Sequence, residues 1–267
     1  DRPFGMGFYY ADPAAPTEVK MIPATPDEAA QGPMADGLPL WPTDGRDGGV
    51  VDFRTKGPDI IQIGNESGFL ADEQLPALPF KPGDPDFLPE WKQTTTPSNW
   101  MKFSVIWYSQ RLTEWLGAAR FQQYVDRFDY GNRDLSGNPG KHDGLTQAWR
   151  SSSLAISPQE QARFLGKLVS GKLPVSAQTL QHTANILRQP DIDGWQIHGK
   201  TGMGYPKLLD GSLDRDQQIG WFVGWASKQD QKLIFVHTVI QKPGKQFASL
   251  RAREEVFAAL PEQLKKL

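Results

Sequence analysis

The spacing of apolar residues changes character along this sequence, and that change limits the fold more than any other feature. From Asn99 to about residue 190 the spacing is helical. Val105, Tyr108, Leu112 and Trp115 recur at helical intervals until Gly117, and Phe121, Tyr124, Val125 and Phe128 form an i, i+3, i+4, i+7 stripe closed by Gly131. Ser157-Pro158-Gln159-Glu160 has the form of a capping box with proline at the first helical position, leading into Phe164-Leu165 and Leu168-Val169. After Pro190 the period drops to that of strands. Trp195 to His198 alternates, Ile219 to Ala226 is aromatic-rich, and Leu233 to Ile240 is β-branched and apolar. The polar run Ser227 to Gln231 is short enough to join the last two strands as an antiparallel hairpin. A final helix carries Val256, Phe257, Leu260 and Leu264, with Pro261 expected to bend or restart it. Helices followed by strands and a closing helix predict a mixed α/β chain in an α+β arrangement: an antiparallel sheet flanked by helices, beside a mainly helical part.

The beginning of the chain is different. Glycine and proline supply 18 of the first 65 residues but only 30 of the remaining 202, and none of the fourteen serines lies there. Gly7 to Tyr10, Glu18 to Ile22, Val50 to Arg54 and Asp59 to Ile63 read as short strands, and Pro26 to Ala30 as a short helix at most. This divides the sequence into a β-leaning segment 1–65 and a domain 66–267, helical to about 190 and sheet with a terminal helix from 191.

Composition removes whole classes of chemistry. With no cysteine, the chain has no disulfide, thiol nucleophile or thiolate metal site. The four histidines, His142, His182, His198 and His237, stand at least sixteen residues apart, which excludes the H-E-x-x-H zinc helix, and no metal is expected. A net charge of −2 gives no general attraction to nucleic acid. No apolar run reaches the length of a membrane span, and no basic segment with an apolar core opens the sequence as a signal peptide would.

Gly194-x-x-x-x-Gly199-Lys200-Thr201 satisfies the phosphate-loop pattern G-x-x-x-x-G-K-[ST]. Its context argues against nucleotide binding. That loop follows a buried strand and opens a helix, whereas here a strand-like alternation runs through the loop positions, and Gly202, Gly204 and Pro206 occupy the helix start. Read as a strand end, Lys200-Thr201-Gly202 places an ammonium, a hydroxyl and a residue without side chain along one edge, where a carboxylate can dock. The Met203 amide, next along, could donate to an oxyanion.

Two further clusters stand upstream in a consistent order: Ser104-Val105-Ile106 and Tyr130-Gly131-Asn132. With Lys200-Thr201-Gly202 they form the ordered motif set of the penicillin-recognising serine enzymes. The chain resembles their class D β-lactamases, the oxacillin-hydrolysing type. The likeness continues through Trp100 to Gln110, Phe128 to Asn132, Leu145 to Trp149, Ile156 to Gln161 and Gly220 to Trp225, and runs from about residue 67 to the C-terminus.

The resemblance implies a β-lactamase/transpeptidase-like fold and hydrolysis of the β-lactam amide through a serine acyl-enzyme. It makes Ser104 a proton-relay serine and Lys200 the cation that attracts the substrate carboxylate. It places Tyr130 and Asn132 in a site wall, Thr201, Gly202 and Met203 along the substrate, Arg251 at a second carboxylate contact, and Trp149 beside a lysine carbamate made from carbon dioxide. Trp107 and Tyr108, on different sides of one helix, read as packing residues. The implied partner is a small β-lactam, with no nucleic acid, and the implied location is periplasmic or secreted.

One element departs from the pattern. The resemblance calls for Ser-x-x-Lys on the order of fifty residues before Ser104, yet no serine of the chain has lysine three residues later. Thr17-x-x-Lys20 has the spacing, but lies in a proline-flanked, strand-like stretch too far upstream. The nucleophile is therefore not identified by motif. A silent homologue that binds β-lactam or peptide carboxylates, or an inactive product with a foreign first segment, stands as the alternative reading.

Overall fold

The computed structural model describes residues 6–11, 19–22, 58–150, 152–206, 208, 212–244 and 246–267, with side chains from residue 61 onward. Among the described residues five strands form one antiparallel sheet in the order β2-β1-β5-β4-β3. They are β1 (Met6–Ala11), β2 (Val19–Ile22), β3 (Gln196–Gly204), β4 (Gln218–Lys228) and β5 (Gln231–Gln241). The helices are α1 (Pro58–Glu66), α2 (Pro97–Phe103), α3 (Ile106–Leu116), α4 (Ala118–Phe128), α5 (Gly144–Gln147), α6 (Pro158–Val169), α7 (Ala177–Ile186) and α8 (Ala248–Leu264). A 3₁₀ turn, Pro89–Trp91, precedes α2.

The period-2 alternation of the strands sorts their side chains onto two faces. Trp221, Val223, Trp225, Ile234 and Val236 point toward the helical part and join its core, with Trp100, Trp107, Tyr108, Phe121 and Phe164. Ile197, Phe222, Ala226, Leu233, Phe235 and Val239 point the other way and pack against Ala252, Val256, Leu260 and Leu264 of α8. Each large apolar side chain removed from water in this way contributes about 2 kcal/mol. The close approach of α8 depends on Gly220, where a Cβ would lie 2.0 Å from the Ala248 backbone.

The predicted hairpin forms with Lys228 opposite Gln231, and Gln229 takes a left-handed φ of 53° in the turn. The capping box also forms: Ser157 Oγ accepts from Glu160 N at 3.2 Å, and Glu160 Oε2 accepts from Ser157 N at 2.7 Å. β1 covers the stretch read as a strand at Gly7 to Tyr10, β2 covers Val19 to Ile22 of the stretch read from Glu18, and β1 pairs with β2 and β5, so both belong to the same sheet as β3, β4 and β5; Glu18 lies outside the described residues. The expected strand Val50 to Arg54, the short helix Pro26 to Ala30 and Thr17 of Thr17-x-x-Lys20 lie outside the described residues.

Two local expectations differ from the structure. Asp59 to Ile63, read as a strand, lies in helix α1; Ile61, Gln62 and Ile63 are all fully buried, and Gln62 Nε2 donates to Thr183 Oγ1 of α7 at 3.0 Å. Burial on consecutive positions suits a helix wedged between neighbours, and that tertiary context overrides the β-branched propensity. Of the two effects expected at Pro261, a bend or a restart, the restart does not occur: α8 runs continuously to Leu264. A proline this close to the end removes one backbone bond from the final turn and leaves the preceding turns intact.

Candidate active site

Ser104 stands at the junction of two helices. Thr96 caps α2, its hydroxyl accepting from Asn99 N, and the helix ends where Ser104 adopts left-handed φ 53°, ψ 47°. Ser104 N and Val105 N both return to Trp100 O, and α3 then begins at Ile106. Glycine is the usual occupant of such a position, so a serine there carries roughly 1 kcal/mol of backbone strain. A tryptophan bracket holds the junction: Trp91 Nε1 donates to Phe103 O at 2.8 Å, and Trp91 O accepts from Trp107 Nε1 at 3.0 Å. Trp107 and Tyr108 are buried packing residues, with Trp100 stacked on Tyr108 at 5.0 Å.

Lys200 comes to this junction from β3, ninety-six residues away in sequence. Its Nζ donates to Ser104 Oγ at 2.6 Å, to Thr201 O at 2.7 Å and to Thr201 Oγ1 at 3.3 Å. The side chain is only 5% exposed, and burial alone pulls its pKa down to about 8. Ser104 and Thr201, whose hydroxyls both accept from this amine, are partly exposed.

β3 is the edge strand, and its free backbone groups face this side of the sheet. Ile197 O and Gly199 N already bond outward to Gln189 N and Leu187 O. The same alternation directs the amides of Thr201 and Met203 to this outer edge, which no described strand pairs with. Partly exposed Ser104, Thr201 and Met203 thus lie with buried Lys200 and Gly202 at one junction that brings together two hydroxyls, an amine and strand amides. The phosphate-loop pattern is explained away by the same strand: Gln196 to Gly204 is β3 throughout.

The remaining expected site residues are placed elsewhere in the framework. Tyr130 is 1% exposed, its hydroxyl donates to Gln161 Oε1 at 3.0 Å, and its ring meets Phe164 edge-on. Asn132 Nδ2 donates to Ser153 O at 2.8 Å, and its Oδ1 accepts from Ala155 N at 2.9 Å. Between them Gly131 has φ 54°, and a Cβ there would fall 2.0 Å from Ala155 O. The motif Tyr130-Gly131-Asn132 therefore fastens one loop to residues 153–155. Arg251 sits in the first turn of α8, where its Nε donates to Glu255 Oε1 at 2.7 Å and its Nη1 to Gln241 Oε1 at 3.5 Å. Those bonds anchor it toward β5, on the far side of β4 from Lys200.

Sequence reading missed two supports. The Trp91 bracket fixes the Ser104 junction without any motif to announce it. His237, buried on β5, shares Glu255 with Arg251 through a 2.6 Å contact from Nε2. The i, i+4 spacing of Arg251 and Glu255 was a readable signal; the long-range partner was not.

The lysine carbamate implied by the resemblance does not fit these residues. Helix α1, Pro-Asp-Ile-Ile-Gln-Ile-Gly-Asn-Glu, holds neither serine nor lysine. Trp149, 3% exposed, uses its Nε1 to bond Leu145 O at 2.9 Å. The donor that would steady a carbamate is already engaged in its own helical turn.

Comparison with known proteins agrees with this geometry. The penicillin-binding protein transpeptidase domain matches residues 58–262, beginning at the first residue of α1 rather than near residue 67. The chain is 40% identical over 205 residues to beta-lactamase OXA-9 of Klebsiella pneumoniae, covering 74% of each. It is 37% identical over 173 residues to beta-lactamase OXA-1 of Escherichia coli, covering 64% of this chain and 60% of that one. The solved structure of OXA-427 class D beta-lactamase is 75% identical, with a TM-score of 0.83 over 98% of this chain and 99% of that one. The chain belongs to the penicillin-binding transpeptidase family. Within that family it is a homologue of the class D β-lactamases.

Proposed function

We propose that this chain binds β-lactams along the free edge of β3 and hydrolyses their amide. The observation that carries the reading is the Lys200 Nζ to Ser104 Oγ contact at 2.6 Å, beside partly exposed Thr201. It joins two of the three ordered motifs across the boundary between sheet and helices. In this reading the substrate carboxylate meets the Thr201 hydroxyl in the field of Lys200, Gly202 lets the ligand lie close to the strand, and the Met203 amide faces the carbonyl oxygen. Tyr130, Asn132 and Trp149 brace the helical part through Gln161, residues 153–155 and Leu145, and Arg251 is held on α8 by Glu255 and Gln241. The activity needs no metal and no bound cofactor. The reading extends to action on penicillins outside the cytoplasm, as a resistance determinant; similarity to the beta-lactamases OXA-9 and OXA-1 supports the β-lactam part of it.

The test is incubation with benzylpenicillin, with the ring-opened penicilloate quantified by proton NMR. The reading predicts penicilloate well beyond one equivalent per chain. Penicilloate at the level of the buffer control contradicts hydrolysis.

A further inference from the structure

We propose that the cavity between α7 and the start of β3 is a second binding site, which takes a small hydroxylated monocarboxylate with Arg188 and His198 at its charged end. The site is separate from the β-lactam edge and does not depend on that reading. The cavity has a volume of about 500 Å³. Gln181 and Asn185 of α7 form one side, and Gln196 and His198 of β3 with Trp225 and Ser227 of β4 form the floor. The strand register explains the floor: His198 pairs with Trp225 and Gln196 with Ser227, so alternate residues of both strands turn one face toward α7. The chain leaving α7 is pinned to β3 by Gln189 N donating to Ile197 O at 2.8 Å and Gly199 N donating to Leu187 O at 2.9 Å. Arg188, between those two bonds, pairs with His198 as an isolated bridge and also lines the cavity.

The lining selects the ligand. His198 is 5% exposed, its ring stacks on Trp225 at 4.7 Å and 11°, and its Nδ1 has no hydrogen-bond partner. A buried polar ring left without a partner is costly, and a ligand that bonds the imidazole offsets that cost. Burial first, then the Arg188 charge, lowers the His198 pKa to about 4, while Asp191 opposes more weakly; the field at the ring is therefore positive and suits an anion. Arg188 Nη2 donates to Asp191 Oδ1 at 2.7 Å, which leaves the rest of the guanidinium fork for one further carboxylate. A single cation that already faces one carboxylate matches a monoanion. Asn185 Nδ2 donates to Glu73 Oε1 at 2.6 Å and its Oδ1 accepts from Gln181 Nε2 at 2.9 Å, so this side is held in place. Gln196 and Ser227 make no side-chain hydrogen bond among the described residues. Their carboxamide and hydroxyl both donate and accept, as ligand hydroxyls require.

The experiment titrates the full chain with sodium gluconate at constant ionic strength, following the histidine ring protons by NMR and the affinity by calorimetry. The signal lost in His198→Gln assigns that ring. Glucose supplies hydroxyls without the charge, and acetate the charge without the hydroxyls. The expected result is a saturable shift of the His198 signals with His142 and His237 unmoved, no effect of glucose, and acetate weaker on the order of tenfold. Arg188→Gln, a change at an exposed position, should weaken gluconate on the order of tenfold, with circular dichroism confirming the fold. No saturable shift at His198, glucose acting as strongly as gluconate, acetate equalling it, or full affinity in folded Arg188→Gln overturns the site.

Discussion

Replacing Lys200 by methionine should change how the stability of the fold depends on pH. In the folded chain the ammonium is buried and its pKa falls from 10.5 to about 8, whereas the unfolded chain keeps the ordinary value. Between those limits the unfolded state binds the extra proton, so stability rises with pH across the window. Below pH 8 both states are protonated, and the full cost of burying the charge, about 3 kcal/mol at 1.4 kcal/mol per unit, weighs against the fold. Partial relief should reach about 1 kcal/mol at pH 8.5 and about 2 kcal/mol at pH 9.5. Methionine keeps much of the volume and removes the titration. The assay is urea unfolding of wild type and Lys200→Met at pH 7.0, 8.5 and 9.5, using the difference between the two proteins so that other groups cancel. The wild type should gain on the variant at each step by these amounts. A difference that stays level from pH 7.0 to 9.5 refutes the placement of a buried, desolvated amine behind Ser104.

Other expectations concern the framework. Tyr130→Phe removes the hydroxyl bond to Gln161 and should lower stability by about 1 kcal/mol in denaturant unfolding, with little change in β-lactam turnover if Tyr130 serves packing. Ser157→Ala opens the capping box of α6 at a cost of about 1 kcal/mol, read as a lower midpoint in the same experiment. Gly220→Ala places a methyl against the Ala248 backbone, and should cost about 3 kcal/mol or more, seen as a large drop in thermal midpoint.

Much of this architecture was legible in the sequence where local rules and tertiary burial point the same way. The stripes of α3 and α4, the capping box of α6 and the β4–β5 hairpin all have a period, a cap or a turn that agrees with the face they bury. Helix α1 was not legible because Ile61, Gln62 and Ile63 are buried on all sides, and continuous burial erases the period that distinguishes helix from strand. The site was readable as residue types: the motifs single out Ser104, Lys200 and Thr201. What no spacing could supply was the meeting of Lys200 Nζ with Ser104 across ninety-six residues, the left-handed turn that presents the serine, or the Trp91 bracket that fixes it. Those depend on which elements pack together. Arg251 shows the converse: its place in the first turn of α8 was visible, but its bonds to Glu255 and Gln241 depend on β5 lying beneath it.

The central claim, that the Ser104–Lys200 junction at the edge of β3 is where a β-lactam reacts, is tested most directly by a crystal structure of the chain soaked in a slowly hydrolysed penicillin. The account predicts ligand density along β3 beside Ser104, with the ligand carboxylate at Thr201 and its carbonyl oxygen facing the Met203 amide. Ligand density elsewhere on the chain, or none along β3 at full drug concentration, would contradict it.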